Sequence, residues 1–291
     1  MSRSVCIRAD GSRALGHGHV FRSLTLAAEL VRRGASVTYV CRDLPGAPLE
    51  RIRAAGHGLV LLGPDLDEET DAVRTAETAH DARALWIVVD RYATDERAFE
   101  RWRSRGLKVL AIDDICEHPF PVDVLLNQNI DAEQLPYETL EETVLLLGPK
   151  YALVREAYRE ARPPEPRVVE QVRRAMVFFG GSDPGDATGE TLRALDGFDE
   201  QLDVDVIIGS AYPHRERLEK IISQSRHRVT LLQDLPDLVE PMLRADVAIV
   251  AGGSVTWELC CLGVPMLLRP IAENQEGIAR SMVCAKAAQY Y

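Results

Sequence analysis

The chain has 291 residues, 46% of them hydrophobic and 27% charged, an ordinary globular composition with room for one large or two medium domains. A formal net charge of -11, without any dense run of lysine and arginine, argues against nucleic acid or an anionic membrane surface as the main partner. Because no apolar stretch is long enough for a signal-peptide core or a membrane span, we expect a cytoplasmic protein without membrane insertion.

Short apolar runs rich in β-branched residues alternate with longer amphipathic segments along the chain. Strands are predicted at residues 4–9, 36–41, 58–62, 85–90, 108–113 and 123–128, and then within 174–181, 203–210, 228–233, 247–253 and 265–270. The helix predicted over residues 20–34 ends in a glycine suited to a C-cap. This alternation is typical of parallel sheets covered by helices on both faces.

Residues 160–168, EARPPEPRV, interrupt the alternation with three prolines and a high density of charge. Such a composition is typical of an interdomain linker. The chain is therefore predicted to be an α/β protein with two Rossmann-like domains, residues 1–160 and 161–291, facing a cleft. Ligands of such sheets bind beyond the carboxyl ends of the strands, where the glycine-rich turns of both halves are expected.

The six cysteines show no C-x-x-C pair, and two of them are adjacent within a predicted helix. We therefore expect reduced, buried thiols rather than a disulfide framework or a zinc site.

The segment VAIVAGGSVTWELCCLGVP, residues 247–265, carries the clearest site signal. A buried strand ends in Gly252 and Gly253, and Ser254 is predicted to cap the helix that follows. Glycines let the backbone approach a ligand closely, and the amides of a new helix bind anions. Glu258, one helical turn further on, is placed to reach a pair of sugar hydroxyls. A simple Gly-Gly turn followed by an ordinary exposed glutamate accounts for the same residues equally well.

A second glycine turn, FFGGSDPGDATG, follows the first strand of the C-terminal half. Gly180, Gly181 and Ser182 lie there between a strand and a helix, without the lysine of a P-loop and without a G-x-G-x-x-G pattern. One such turn is common in α/β proteins, whereas two at equivalent strand ends favour a phosphate-bearing ligand. In AENQEG, Asn274 and Gln275 open the final helix, either as caps or as contacts to a polar substrate.

The stretch LGHGHVFR, residues 15–22, places two histidines between glycines at the start of a predicted helix. Side chains at positions i and i+2 do not share a helix face, so His17 and His19 are disfavoured as a pair of metal ligands. The positive end of the helix dipole favours a neutral imidazole, which can act as a general base at neutral pH. Spacing alone does not choose between the two histidines, and structural or capping histidines are the commoner case.

Three further strand ends carry polar residues. In VVDRY, Asp90 ends a strand and Tyr92 follows it, either in a solvated loop or with its hydroxyl in the cleft. Near two later strand ends lie Asp113, Asp114 and Asn127. The Asp-Asp pair is able to bind a metal, although helix-capping or loop carboxylates are the commoner arrangement.

Taken together, these motifs resemble one family along essentially the whole chain. The segments that carry the likeness are RAD, GHGHVFRSLTLA, VVDRY, AIDD, LLNQN, LLGPKYALVR, FFGGSD, AGGSVTWELCCLGVP and ENQ. They resemble the UDP-2,4-diacetamido-2,4,6-trideoxy-β-L-altropyranose hydrolases of pseudaminic acid biosynthesis and the related spore-coat polysaccharide biosynthesis proteins. That group is similar to the GT-B glycosyltransferases, especially the transferase that makes the second lipid intermediate of peptidoglycan.

The resemblance implies a GT-B-like fold and inverting hydrolysis of a UDP-sugar to UDP and free sugar, with water as acceptor and with neither metal nor organic cofactor. The family's G-x-G-H-V-x-R motif makes His19 the catalytic histidine and His17 incidental, and its D-x-Y motif adds Tyr92 as the second catalytic residue. The implied substrate-binding residues are Asp10, Gly16, Gly18, Arg22, Asn274 and Gln275. The implied UDP-binding residues are Gly181, Ser182, Gly252, Gly253, Ser254 and Glu258.

Several alternatives stay open at this point. The same scaffold suits a glycosyltransferase that passes a UDP-amino sugar to an acceptor, and also a nucleotide-sugar binding protein without turnover. His19 would act either as the base that activates water or as an acid on the β-phosphate oxygen. Some relatives run longer or carry a fused acetyltransferase domain, so the chain would be a truncated or a naturally short form.

Overall fold

A computed structural model of the chain describes residues 3–12, 15–165 and 168–291, without the side chain of Asn274. The chain forms two compact units, Met1–Leu153 (unit 1) and Val154–Tyr291 (unit 2). The predicted boundary at residue 160 lies slightly later in the chain. Pro166 and Arg167, within the predicted linker, lie outside the described residues.

Unit 1 contains a seven-stranded sheet in which every neighbouring pair of strands is parallel. Its strands are β1 (Arg3–Ala9), β2 (Ala35–Arg42), β3 (Gly58–Leu62), β4 (Ala84–Asp90), β5 (Lys108–Ile112), β6 (Val124–Asn127) and β7 (Val144–Leu147), and its helices are α1 (Gly18–Arg32), α2 (Leu49–Ala54), α3 (Glu68–Asp81) and α4 (Glu96–Ser104). The strand order is β3-β2-β1-β4-β5-β6-β7.

Unit 2 repeats this arrangement with six parallel strands in the order β10-β9-β8-β11-β12-β13. The strands are β8 (Arg174–Phe178), β9 (Asp203–Ile208), β10 (Arg228–Gln233), β11 (Val247–Val250), β12 (Met266–Leu268) and β13 (Gln289–Tyr290), and the helices are α5 (Glu156–Glu160), α6 (Ala187–Leu195), α7 (Arg215–Gln224), α8 (Val239–Arg244), α9 (Val255–Leu262) and α10 (Glu273–Cys284).

Both sheets have the strand order of a doubly wound fold, with one topological switch point each. In unit 1 the switch point lies between β1 and β4, where Ala9 pairs with Asp90. In unit 2 it lies between β8 and β11, where Phe178 pairs with Val250. Loops leaving two adjacent strands at a switch point turn toward opposite faces of the sheet and open a crevice between them. The predicted histidine, tyrosine and glycine motifs all follow these four strands.

The cores follow the alternation of side chains along the buried strands. On β1, Val5, Ile7 and Ala9 pack in the apolar cluster on the α1 side of the sheet, whereas Cys6 packs in the cluster under α3 and α4. Helix α1 ends at Arg32, and the chain then turns at Gly34, whose φ of +84° is a conformation that glycine adopts without strain.

Two strands, β7 and β13, were not predicted. Both lie at sheet edges, and Val144 and Leu145 at the start of β7 are exposed, so neither follows the pattern of a fully buried strand. The expectation for the cysteines is partly wrong, because Cys260 and Cys284 are exposed. Within the described part of the chain, no helix combines the length and apolar character that crossing a bilayer requires.

Candidate functional site

The loop between β1 and α1 is shaped by its glycines. Gly16 has a φ of +76°, and its carbonyl accepts a hydrogen bond from the amide of Ser12 at 3.1 Å. A Cβ added at Gly11 would lie 3.0 Å from Cδ of Pro48, so this glycine, which sequence reasoning missed, stands where there is little room for a side chain. A Cβ at Gly18 would meet nothing within 4 Å, which leaves open space beside the first turn of α1.

His19, in the first turn of α1, is held by the carboxylate that ends β4. Its Nδ1 lies 2.7 Å from Oδ1 of Asp90, and both side chains are buried. Burial alone would raise the pKa of Asp90, but the charge of Arg22 and the hydrogen bonds from Arg22 and His19 outweigh it and hold the pKa below its usual range. Because an ionised carboxylate only accepts hydrogen bonds, the imidazole carries its proton on Nδ1 and leaves the lone pair of Nε2 available.

Arg22, one turn later on α1, joins two carboxylates. Its Nε and Nη2 each lie 2.6 Å from an oxygen of Asp90. Its Nη1 donates to both oxygens of Asp114 at 2.8 and 2.7 Å. The structure therefore places the Arg22 guanidinium in an internal ion network, although the motif had assigned it to the substrate.

Tyr92 lies next to His19 and belongs to the same network. Its ring contacts the imidazole edge-on, with centroids 4.7 Å apart and an interplanar angle of 83°. Its hydroxyl donates to Oδ2 of Asp114 at 3.2 Å. With that proton engaged, the hydroxyl oxygen is an acceptor, which suits the orientation of a water molecule or a substrate hydroxyl.

His17 is separate from this network. Its Nε2 lies 2.9 Å from the carbonyl oxygen of Gly46, and its ring packs edge-on against Phe21. Burial lowers the pKa of His17, against the opposing effect of the Gly46 carbonyl. The two histidines of the GHGH segment thus contact different groups, as their spacing indicated.

Asp10, predicted to bind substrate, lies in a second buried ion network. Its carboxylate accepts from Nη1 and Nη2 of Arg8 at 2.6 and 2.8 Å and from the amide of Arg42 at 2.8 Å. Burial opposes ionisation of Asp10, but these partners hold its pKa below the usual range. Since Asp10 is only 5% exposed, the structure gives it internal partners rather than a surface offered to a ligand.

Asp113 and Asp114 lie in the loop after β5, where both carboxylates accept hydrogen bonds from protein groups. Oδ2 of Asp113 accepts from the amides of Ile115 and Cys116 and, at 2.6 Å, from the hydroxyl of Tyr137. Asn127 donates to the same hydroxyl at 2.8 Å. Among the described residues, no group of three or more histidine, cysteine, aspartate or glutamate side chains is placed to hold a metal ion.

In unit 2, the GGS turn after β11 leads into α9. Ser254 makes no side-chain cap, contrary to the prediction, because its φ of -58° and ψ of -24° are helical rather than extended. The turn is closed instead by Thr256, whose amide and hydroxyl both donate to the carbonyl of Gly253. Among the described residues, the amides of Gly253, Ser254 and Val255 meet no hydrogen-bond acceptor. This end of the helix is therefore suited to binding an anion.

The start of α10 packs directly on this turn. A Cβ added at Gly252 would lie 2.9 Å from the backbone oxygen of Gln275, so only glycine fits there. The side chain of Gln275 folds back onto the segment before its own helix, where Oε1 accepts from the amide of Ile271 at 2.9 Å. The side chain of Asn274, predicted to bind substrate, lies outside the described residues. The structure thus brings the GGS and ENQ motifs together.

Glu258 is held by a residue to which sequence reasoning gave no role. Nε of Arg155 lies 2.9 Å from its Oε1. The guanidinium also stacks over the ring of Tyr158, 4.7 Å from its centroid, and donates to the Tyr158 hydroxyl. Glu258 is therefore a half-buried, oriented carboxylate rather than an ordinary exposed glutamate. The GPKYALVR segment, which ends in Arg155, was the available signal.

The turn at Gly180–Ser182 does not lead directly into a helix, contrary to the prediction. Helix α6 begins only at Ala187, and its first amides are already filled: Asp183 accepts from Ala187 and Thr188, and Asp186 accepts from Gly189. A ligand at this strand end would therefore contact the backbone of the Gly180–Ser182 turn and not the first amides of α6. The turn is closely packed, since a Cβ added at Gly209 would lie 2.5 Å from the carbonyl oxygen of Gly181.

Comparison with known proteins gives a consistent relationship, although no family model matches the chain. The spore coat polysaccharide biosynthesis protein SpsG of Bacillus subtilis is 26% identical over 295 residues, covering 98% of this chain and 82% of that protein. The UDP-2,4-diacetamido-2,4,6-trideoxy-beta-L-altropyranose hydrolase of Campylobacter jejuni is 24% identical over 281 residues, covering 94% of each. The crystal structure of Acinetobacter baumannii MurG matches with a TM-score of 0.70 at 14% identity, covering 99% of this chain and 86% of that one.

These relationships confirm the predicted fold class and the predicted resemblance to the altropyranose hydrolase and SpsG. The two parallel-sheet α/β units, each with its own switch point, match a GT-B-like architecture. The chain is thus similar over nearly its whole length to SpsG and to the altropyranose hydrolase, and it has a GT-B-like fold.

Proposed function

We propose that the protein hydrolyses a UDP-activated 2,4-diacetamido-2,4,6-trideoxy sugar to UDP and the free sugar, with inversion at the anomeric carbon. The observation that carries the proposal is the buried 2.7 Å contact between Nδ1 of His19 and Oδ1 of Asp90, which prepares an imidazole to take a proton from water. The name of the Campylobacter relative supports this class of sugar. We place the reaction in the cytoplasm, in the synthesis of a nonulosonic acid of the pseudaminic type.

In the proposed reaction, Nε2 of His19 takes a proton from water while the water oxygen attacks the anomeric carbon. The bond from that carbon to the β-phosphate oxygen breaks, its electron pair leaves with UDP, and attack from the opposite face inverts the configuration. Asp90 stabilises the imidazolium that forms. An imidazole with its proton on Nδ1 has none on Nε2 to give to the phosphate, so the geometry supports a base rather than an acid. A general base contributes roughly 10²–10⁴-fold to rate.

For the nucleotide, the proposal uses two features of α9. The amides of Gly253, Ser254 and Val255 lie at the positive end of the helix dipole, where they would stabilise the charge of the departing diphosphate. The carboxylate of Glu258, fixed by Arg155, would accept hydrogen bonds from the ribose hydroxyls. The proposal includes no metal ion and no organic cofactor.

The test is release of UDP from UDP-2,4-diacetamido-2,4,6-trideoxy-β-L-altropyranose in the absence of any acceptor. We expect turnover by the wild type, a loss of roughly 10²–10⁴-fold in His19→Ala, and near wild-type turnover in the matched control His17→Ala. UDP-N-acetylglucosamine serves as the comparison substrate, and proton NMR of the fresh product reports its anomeric configuration.

The remaining outcomes identify the alternatives. Release of UDP only after an acceptor is added would make the protein a glycosyltransferase, in which His19 activates the acceptor hydroxyl instead of water. Tight binding of the nucleotide sugar without release under either condition, unchanged in His19→Ala, would make it a binding protein.

A further inference from the structure

Arg22 connects the two side chains proposed to do the chemistry. One edge of its guanidinium binds Asp90, the carboxylate that contacts His19. Its Nη1 binds Asp114, the carboxylate that accepts a hydrogen bond from the hydroxyl of Tyr92. The four contacts from Arg22 nitrogens to carboxylate oxygens range from 2.6 to 2.8 Å. A planar guanidinium matches carboxylates in pairs of parallel bonds, which fixes the angle of each carboxylate as well as its distance.

The donors of Arg22 are already directed at protein groups. Nε and Nη1 bind carboxylates, and Nη2 binds Asp90 while lying 3.3 Å from Nδ1 of His19. Only 7% of the side chain is exposed. A residue that binds substrate directs its donors to the ligand, whereas here each of the three nitrogens contacts a buried carboxylate.

The charges explain why the network needs this guanidinium. Asp90 and Asp114 are both nearly inaccessible to water, and buried carboxylates without a counter-charge take up protons. A protonated Asp90 would donate its hydrogen to Nδ1 of His19 and move the imidazole proton to Nε2. Nε2 would then have no lone pair for the proton of water. Asp114, left without Arg22, would also lose the orientation that holds the hydroxyl of Tyr92.

We propose that Arg22 is a positioning residue, which sets the tautomer of His19 through Asp90 and the orientation of Tyr92 through Asp114, and that it does not bind the substrate. This inference rests on the proposed function for its kinetic consequence. The tautomer of His19 is a property of the unliganded protein and is measured without substrate.

The test uses three variants. Arg22→Met removes the charge, Arg22→Lys keeps the charge without the paired geometry, and Asp114→Asn alters only the side that holds Tyr92. Long-range ¹H–¹⁵N NMR of histidine-labelled protein reports the His19 tautomer, with the signal assigned by His19→Gln. Steady-state UDP release gives kcat and KM, and calorimetry gives the affinity for UDP.

We expect Nδ1–H at His19 in the wild type and in Asp114→Asn, and a shift toward Nε2–H in Arg22→Met. The kcat should fall by about 10²-fold or more in Arg22→Met and less in Arg22→Lys, with KM and UDP affinity almost unchanged. If Arg22→Met fails to fold, Arg22→Lys carries the same comparison at smaller amplitude, with Asp114→Asn as the variant that keeps Nδ1–H at His19.

The opposite results overturn the inference. A raised KM with unchanged kcat in the Arg22 variants would make Arg22 a substrate ligand, and an unchanged His19 tautomer would remove its positioning role. If the wild type released no UDP, the proposed function would fail. The NMR comparison would still decide whether Arg22 sets the tautomer of His19.

Discussion

Nε of Arg155 lies 2.9 Å from Oε1 of Glu258, an ion pair between residues 103 positions apart in the chain. Burial raises the pKa of Glu258, and the charge of Arg155 and its hydrogen bond act against this effect. The Tyr158 hydroxyl also lowers the pKa of Glu258, whereas the nearby charge of Asp237 raises it. Arg155 therefore opposes protonation of this half-buried carboxylate and fixes its direction.

Replacing Arg155 by methionine is expected to weaken binding of UDP by about tenfold, the usual value of one charge-assisted hydrogen bond. Without Arg155, burial and Asp237 both raise the pKa of Glu258, so more of it is protonated at pH 6 than at pH 8. A protonated carboxyl is a poorer acceptor for ribose hydroxyls. The loss of UDP affinity in Arg155→Met relative to wild type should thus be larger at pH 6 than at pH 8, as measured by calorimetry.

The control is Arg159→Met, because this exposed arginine on α5 forms a long surface ion pair with Glu156, at 4.0 Å. It should bind UDP like the wild type at both pH values. Equal affinities of Arg155→Met and wild type would show that Glu258 does not depend on Arg155, or that it does not bind the nucleotide.

The elements of this fold were largely predictable because most strands are buried and apolar. The periodicity marked β1, β10 and the start of α1 within a few residues. The glycine turns were also evident, since a buried strand that ends in Gly-Gly must reverse direction there before the next helix begins. Edge strands β7 and β13 were missed, because exposed residues remove the signal on which the prediction rests.

The partners within the site were not predictable, because they depend on contacts between distant segments. Asp90 lies 71 residues from His19 in the chain, and Asp114 lies 92 residues from Arg22. A motif identifies Arg22 but does not tell whether its guanidinium meets a ligand or a carboxylate. The interior ion pairs form only when the sheet places β1, β4 and the loop after β5 side by side.

Replacing Asp90 by asparagine is expected to lower kcat by roughly 10²–10⁴-fold, with little change in affinity for UDP. The asparagine amide has the same shape, but it is able to donate to Nδ1 of His19 and stabilise the wrong tautomer. Steady-state UDP release measures the effect. Asp95→Asn, which changes the N-cap of α4, is the matched control and should keep its turnover. A fully active Asp90→Asn would exclude Asp90 from the mechanism.

Two glycine-to-alanine variants in unit 2 separate packing from binding. A Cβ at Gly209 would lie 2.5 Å from the carbonyl oxygen of Gly181 and 2.7 Å from its Cα, so Gly209→Ala should lower the melting temperature. A Cβ at Gly253 would meet nothing within 4 Å, so Gly253→Ala should fold normally. That methyl group stands beside the unfilled amides of α9 and should weaken binding of UDP.

Calorimetric melting and UDP titration distinguish the two effects. Normal melting with weaker UDP binding in Gly253→Ala would support a ligand at the GGS turn. Unchanged UDP affinity in that variant would place the diphosphate elsewhere.

Replacing Arg8 by methionine is expected to destabilise unit 1 by about 3–5 kcal/mol at pH 7, the cost of leaving buried charges unpaired. Arg8 is completely buried and binds both oxygens of Asp71, at 2.8 and 2.7 Å, as well as Asp10. Burial opposes ionisation of Asp71, but Arg8 and its neighbours hold the pKa at about 2, below the ordinary value of 3.8. A depressed carboxyl pKa stabilises the fold above the unfolded value and loses that effect as pH falls through the folded one.

The free energy of unfolding of the wild type should accordingly decline between about pH 4 and pH 2. It should decline less in Arg8→Met, because the pKa of Asp71 is less depressed without Arg8. Urea unfolding followed by circular dichroism at pH 7 and pH 3 measures the free energy of unfolding of both proteins. We expect the difference in this free energy between wild type and Arg8→Met to be smaller at pH 3. Arg53→Ala, which breaks an exposed pair with Glu50, should change little at either pH. A difference between Arg8→Met and wild type that stays the same at both pH values would show that the Arg8 pairing does not act through the ionisation of Asp71.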